Sequence, residues 1–115
     1  IVMEGGNRLS DGTSSTNHAD LSVLTTCKDH VLTYCEGTSA ATAQAARLGA
    51  ILQANYPHFW PESIRGLLIH AARWNDVMLE GCKLQDLKKS DKLCLLRRYG
   101  YGLPDVERAR HSIRN

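Results

Sequence analysis

The stretch Gly37-Thr38-Ser39-Ala40-Ala41-Thr42, followed by the small-residue run from Ala43 to Leu52, decides how this chain folds. Gly37 permits a sharp change of backbone direction, and Thr38 is predicted to cap the N-terminus of a helix. Ser39 then lies in the first turn, where free N–H groups and the helix dipole favour negative charge. This is how a catalytic serine is presented, because an oxyanion developing beside it would find hydrogen-bond donors.

The helix that begins at Ser39 is predicted to run over 39–55 and to be buried on every side, because small residues occupy nearly all of its faces. Pro61 with Glu62 marks the start of a further helix. The other predicted elements are a short strand at 1–4, an exposed polar loop at 5–20, strands at 21–26 and 30–35, a segment at 75–98 with one or two helical turns, and a terminal helix after Asp105.

The serine motif resembles that of the subtilisin-like serine peptidases, the subtilases, which is G-T-S-x-A-[ST]-P, and its first six positions match residues 37–42. Residues 99–106 are similar to the closing G-x-G turn of that family, and residues 1–6 are similar to a buried strand ending in a glycine turn. The resemblance implies an α/β fold over 1–115. It would be the C-terminal portion of a subtilisin-like catalytic domain, with a few strands, a buried nucleophile helix and two or more further helices.

The resemblance implies hydrolysis of peptide bonds through an acyl-enzyme on Ser39, whose backbone N–H would also be one oxyanion donor. Gly37 and Thr38 would support the serine without taking part in the chemistry. In this family the Asp lies in a D-[ST]-G motif, the His in an H-G-T motif, and the oxyanion Asn on a segment after both. All three are upstream of the region that this sequence covers, and none of them is present in it. We therefore expect a C-terminal fragment that is inactive alone.

No acidic or histidine residue here has the spacing of the missing partners. The candidates before the serine are Asp11, His18, Asp20, Asp29 and His30. The three histidines after it are His58, His70 and His111, and they fall in segments that the family does not use for chemistry. A nucleophile elbow is excluded, because Gly-x-Ser-x-Gly would be required and position 41 is alanine.

Two departures from the motif keep a second function open. Ala43 replaces the usual proline and Gln44 replaces the usual histidine just inside the helix. The alternative is therefore a non-catalytic subtilase-like remnant, or pseudoenzyme, that acts as an assembly or regulatory module.

Composition indicates a globular protein, with 43% hydrophobic and 23% charged residues and a net charge of +2. Acidic residues interrupt the basic clusters, which favours a solvated helix face over a nucleic-acid site. The sequence contains no run of about 20 apolar residues that would predict a membrane span, so neither nucleic acid nor a membrane is an expected partner. The expected partners are a polypeptide substrate and the remainder of the subtilase domain. Apolar surface that the missing strands would cover favours self-association.

Four cysteines, at 27, 35, 82 and 94, follow no metal-ligand spacing. Cys27 and Cys35 are predicted to be offset across a hairpin, too far apart for a disulfide. Reduced thiols favour a reducing cytoplasm, although the location is otherwise unknown. No cofactor or metal is predicted; the family resemblance leaves calcium open and assigns it no residue here.

Overall fold

A computed structural model of the chain describes residues 1–112. Its contacts divide the chain into two compact units, residues 3–46 and residues 1–2 together with 47 onwards. Helices and three two-stranded antiparallel sheets are present, so the predicted mixed α/β class is confirmed. The elements are β1 (Arg8–Ser10), β2 (Ser15–Asn17), a 3-10 helix (Ala19–Leu21), β3 (Val23–Thr25), β4 (Thr33–Cys35), α1 (Thr38–Asn55), α2 (Pro61–Ala71), β5 (Ala72–Arg73), α3 (Lys89–Tyr99), β6 (Leu103–Pro104) and α4 (Val106–His111).

The segment predicted as a loop over 5–20 contains a hairpin instead, because a side chain closes its turn. The Asp11 carboxylate accepts hydrogen bonds from the N–H groups of Thr13 and Ser14, at 2.8 and 2.6 Å, and from the Ser14 hydroxyl at 3.0 Å. Such bonds from an aspartate to following N–H groups stabilise turns. β1 and β2 then pair antiparallel on either side of this turn.

The two strands predicted at 21–26 and 30–35 are confirmed as the shorter pair β3 and β4. Cys35 lies opposite Val23 in this register, so Cys27 and Cys35 are offset as expected. All four cysteines are free. Leu24 and Tyr34 face each other across the pair, and both side chains are largely exposed, with Leu24 at 68%.

The helix of the serine motif forms as predicted, but two of its expected properties are wrong. It begins at Thr38, so that Thr38 is its first residue and Gly37 takes the capping position, where its carbonyl accepts the N–H groups of Ala40 and Ala41. Burial on every side is also wrong, since only Ala40 and Leu52 are buried among residues 38–55. Small residues permit close packing, but the short sheets described here cover little of the helix.

The unit that includes residues 47 onwards has a small apolar core. Leu52 is fully buried, and Ile64, Leu68 and Ala71 of α2 pack in the same cluster with Ala109 of α4. Pro61 begins α2 as its sequence predicts, and the buried side chains recur at helical spacing. Burying one leucine of this kind contributes about 1.5–3 kcal/mol.

The closing Gly-x-Gly segment forms a tight turn against β5. Gly102 has φ +95°, and its N–H donates to the Tyr99 carbonyl at 3.0 Å. The Trp74 indole donates to the Gly100 carbonyl at 2.9 Å. Val2 N–H donates to the Gly102 carbonyl at 3.0 Å, but residues 1–4 form no strand, which corrects the prediction because no second strand runs beside them.

The segment 75–98 is more ordered than its sequence predicts. Hydrogen-bonded turns over 76–82 lead to α3, an 11-residue helix in place of the expected one or two helical turns. Arg98 of α3 pairs with Glu80 of the turns at 3.5 Å.

Large apolar side chains are exposed on both units. Val31 and Val77 are the most exposed, at 88% and 82%. Between residues 1 and 112, no helix is long and apolar enough to cross a bilayer.

Candidate functional site

The start of α1 is fixed by main-chain hydrogen bonds. The Gly37 N–H donates to the Gly5 carbonyl at 2.7 Å, and the Gly37 carbonyl accepts from Ala40 and Ala41 at 3.1 and 3.4 Å. Gly37 has φ +106°, a conformation that a residue with a Cβ adopts only with strain. The expected glycine turn before the helix is therefore present, and it directs the chain into α1 immediately before the serine.

Ser39 is the second residue of α1, and its side chain is exposed. The backbone N–H groups of Thr38 and Ser39 make no hydrogen bond to any of residues 1–112. A helix N-terminus carries partial positive charge and free donors. The hydroxyl thus lies at the point of the helix where developing negative charge would be stabilised.

The two departures from the family motif keep the helix intact. Ala43 is exposed and continues α1. The side-chain amide of Gln44 donates to the Glu4 carbonyl at 2.7 Å, and so ties the segment before Gly5 to the second turn of the helix. Gln44 therefore has a packing role, and a sequence pattern could not indicate it because the bond joins residues 40 positions apart.

An ion pair lies on the approach to the glycine turn. The Arg8 guanidinium is 3.0 Å from the Glu36 carboxylate, directly before Gly37, and also donates to the Asn17 side chain. The second carboxylate oxygen of Glu36 is buried without a hydrogen-bond partner in the described part of the chain. The sequence did not indicate either charged residue, since neither belongs to a motif.

The candidate acids and bases before the serine are engaged elsewhere or exposed. The hairpin bonds described above, chiefly from the N–H groups of Ser14 and Thr13, lower the pKa of Asp11 from 3.8 to about 2. His18 lies 3.7 Å from the Asp20 carboxylate, and His30 is exposed. No side chain within residues 1–112 makes a hydrogen bond to the Ser39 hydroxyl.

The residues described here do not gather three or more His, Cys, Asp or Glu side chains into a possible metal site. An open groove of about 520 Å³ in the first unit is lined by Glu4, Asn7, Asp20, Leu21 and Gln44, among others, and Ser39 is not part of its lining. No residue is therefore assigned to calcium or to a cofactor.

A model of the subtilase family, a family of S8 peptidases, matches residues 1–102. The chain belongs to the subtilase family. Comparison with curated proteins and with solved structures gave no significant match. A peptidase-type function is therefore supported at the level of the family. The matched range includes Gly37, Thr38 and Ser39.

Proposed function

We propose that this chain carries the nucleophile segment of a subtilisin-like serine endopeptidase. Ser39 attacks the carbonyl carbon of a peptide bond and forms an acyl-enzyme, which water then hydrolyses. The Ser39 N–H donates to the oxyanion of each tetrahedral intermediate. Gly37 and Thr38 hold the serine at the helix N-terminus and take no part in bond making.

The observation that carries this proposal is the exposed serine at the start of α1, directly after a glycine with positive φ. Its hydroxyl is accessible, and its N–H and that of Thr38 are free among the described residues. A helix that served only to pack would gain nothing from an exposed hydroxyl beside two free donors. The family match over residues 1–102 supports the same assignment.

The general base, its orienting carboxylate and the second oxyanion donor are proposed to come from a preceding part of the subtilase domain. The D-[ST]-G and H-G-T motifs that carry the acid and base in this family do not occur in the sequence. A serine hydroxyl is a weak nucleophile without a positioned base. The 115-residue chain alone is therefore proposed to be inactive and to represent a C-terminal portion of the subtilisin-like fold.

The remainder of the domain is also the proposed partner of the exposed apolar side chains. Leu24 and Tyr34 form an apolar cross-strand pair that lacks cover, and Ala43, Ala46 and Ala50 leave one side of α1 open. Large exposed apolar patches mark interaction sites in general, and we propose that the remainder of the domain covers these side chains. Without the remainder, these surfaces favour self-association, which light scattering across a concentration series would detect.

A second candidate rests on Gln44. Its bond to the Glu4 carbonyl gives this departure from the family motif a structural role. A chain kept only for packing would be a subtilase-like pseudoenzyme that acts in assembly or regulation. The pseudoenzyme and the peptidase make different predictions, because Ser39 of a pseudoenzyme would stay unreactive even in the longer natural protein.

The deciding experiment is labelling with a fluorophosphonate probe, read by intact mass and peptide mapping. It is applied to this chain and to the longest natural product of the same gene. Labelling of Ser39 in the longer protein alone supports the peptidase. A folded longer protein that takes no label refutes it and leaves the pseudoenzyme.

Ser63 offers a matched control for this experiment. It is an exposed serine in the first turn of α2, as Ser39 is in α1, but it lies one position further into its helix and follows no glycine turn. Its N–H donates to the Trp60 carbonyl at 2.9 Å and is therefore not a free donor. In the longer protein, Ser39→Ala should abolish labelling and Ser63→Ala should leave it unchanged. Equal labelling of both serines would show that the probe reports only on exposure.

A further inference from the structure

Two cysteines line one cavity between the turns at 76–82 and α3. The cavity has a volume of about 270 Å³, and both Cys82 and Cys94 contribute to its wall. Both thiols are free and exposed. This site lies outside the serine motif, and the peptidase proposal makes no use of it.

One face of α3 supplies its side of the cavity. The lining residues Asp91, Cys94, Leu95 and Arg98 follow the spacing of neighbours on a helix surface. Arg98 on this face pairs with Glu80 at 3.5 Å. The face that carries Cys94 is therefore directed at the turns that carry Cys82.

The turns at 76–82 hold Cys82 in a defined position. Its N–H donates to the Leu79 carbonyl at 2.9 Å, and the Gly81 N–H donates to the Asp76 carbonyl at 3.2 Å. Cys82 is only two residues beyond Glu80, and Cys94 is one helical turn before Arg98. The ion pair thus brings the two elements together near the thiols.

We propose that Cys82 and Cys94 form a reversible disulfide across this cavity when the chain meets a disulfide oxidant such as oxidised glutathione. A disulfide requires Cα atoms within roughly 7 Å, and thiols on two elements that face one small cavity are suited to it. The bond fastens the turns at 76–82 to α3. It is independent of any peptidase activity of the chain.

The exchange balances without any further reagent. One cysteine thiolate attacks a sulfur of oxidised glutathione, forms a mixed disulfide and releases one glutathione thiolate. The second cysteine thiolate then attacks the protein sulfur of that mixed disulfide and releases the second glutathione. The two protein thiols lose two protons and two electrons, and one oxidised glutathione becomes two reduced molecules.

A larger open cavity of about 800 Å³, which also has Cys82 in its lining, provides access for this oxidant. Lys83 and Lys92 contribute to its lining. Asp76 is the one carboxylate in the same lining, so the two lysines leave it with a net positive charge. Glutathione carries net negative charge at neutral pH and is therefore attracted towards Cys82. The mixed disulfide is therefore expected to form first at Cys82 and to be resolved by Cys94.

The test is incubation of the full chain with oxidised glutathione, followed by non-reducing trypsin digestion and mass spectrometry. Trypsin cuts at Lys83 and Lys92, so the bond would join peptide 74–83 to peptide 93–97. We expect this linked pair, a loss of two hydrogens from the intact protein, and complete reversal by dithiothreitol. A linked pair with Cys27 or Cys35, or stable glutathione adducts on both Cys82 and Cys94, would overturn the proposal.

Three single variants separate the site from general thiol reactivity. Cys82→Ser and Cys94→Ser should each give no internal bond and should retain one glutathione adduct on the remaining partner. Cys27→Ser, at an exposed cysteine outside this cavity, should cross-link as the wild type does. Circular dichroism of the reduced proteins checks that each variant is folded. Should either serine variant unfold, peptide mapping of the wild type alone still decides whether the 82–94 bond forms.

Discussion

Replacing Gly102 by alanine should destabilise the chain more than any comparable change at a glycine in a regular helix. Gly102 has φ +95°, where a residue with a Cβ costs about 1–3 kcal/mol. An added Cβ would also lie 2.2 Å from the Arg73 carbonyl oxygen and 2.4 Å from its carbon. Both contacts are to main chain, so no side-chain rotation can relieve them.

The Arg73 backbone must therefore move, and this disrupts the pairing of Arg73 with Leu103 in the sheet of β5 and β6. A lost hydrogen bond costs about 1 kcal/mol. Together with the backbone strain, we expect Gly102→Ala to lower the free energy of unfolding by about 2–4 kcal/mol. This is a large part of the roughly 5–15 kcal/mol typical of folded domains.

The assay is urea unfolding of the full chain, followed by circular dichroism. Gly66→Ala is the matched control, because Gly66 lies in α2 with no atom within 4 Å of an added Cβ and without positive φ. It should raise stability by about 0.5–1 kcal/mol, since alanine favours helices. A Gly102→Ala protein that unfolds at the wild-type urea concentration would refute the close approach to Arg73.

The remaining predictions concern the core, the first hairpin and one thiol. Leu52→Ala should lower the free energy of unfolding in urea by about 2–5 kcal/mol because Leu52 is fully buried. Leu24→Ala, at an exposed position, should change it by no more than about 0.5 kcal/mol. Equal effects of the two substitutions would contradict the described core. Because the pKa of Asp11 is lowered, its ionised form stabilises the hairpin fully when the pH is above 3.8, the ordinary pKa, and this contribution is lost as the pH falls to about 2. NMR titration of the hairpin amides should show a midpoint near pH 2. A midpoint near pH 4, the ordinary range of an aspartate, would contradict this prediction. Hydrogen bonds from the N–H groups of Asp29 and then His30 lower the pKa of the Cys27 thiol. Its alkylation by iodoacetamide should therefore begin at lower pH than that of a cysteine in an unstructured peptide. Identical pH profiles of alkylation for the two thiols would contradict these hydrogen bonds.

Local signals in the sequence predicted much of the fold. Gly37 before a run of small residues, and Pro61 followed by a glutamate, located the starts of α1 and α2 to within one residue. The paired apolar runs on either side of Asp29 predicted the β3 and β4 hairpin. Each of these features depends on residues close together in the chain, which is why a pattern was sufficient.

Features that depend on distant partners, and one local hairpin of polar residues, were not predicted correctly. Burial of α1 was inferred from its alanines, yet burial requires a neighbouring element, and residues 43, 46 and 50 are exposed. The hairpin at Asp11 was read as a loop because its polar residues form a turn through side-chain bonds. At the candidate site, the motif predicted the position of Ser39, but the bond from Gln44 to Glu4 had no local signal.

The hydrogen bonds described between the start of α1 and the segment before it end on main-chain atoms. Gly37 donates to the carbonyl of Gly5, and Gln44 donates to the carbonyl of Glu4. Peptide carbonyls are the same for every amino acid, so a substitution at Glu4 need not alter the bond from Gln44. A substitution at Gly5 would alter the other bond, because an added Cβ would lie 2.9 Å from the Gly37 carbonyl oxygen. The placement of Ser39 therefore depends on the side chain at position 44 and on the lack of a side chain at positions 5 and 37.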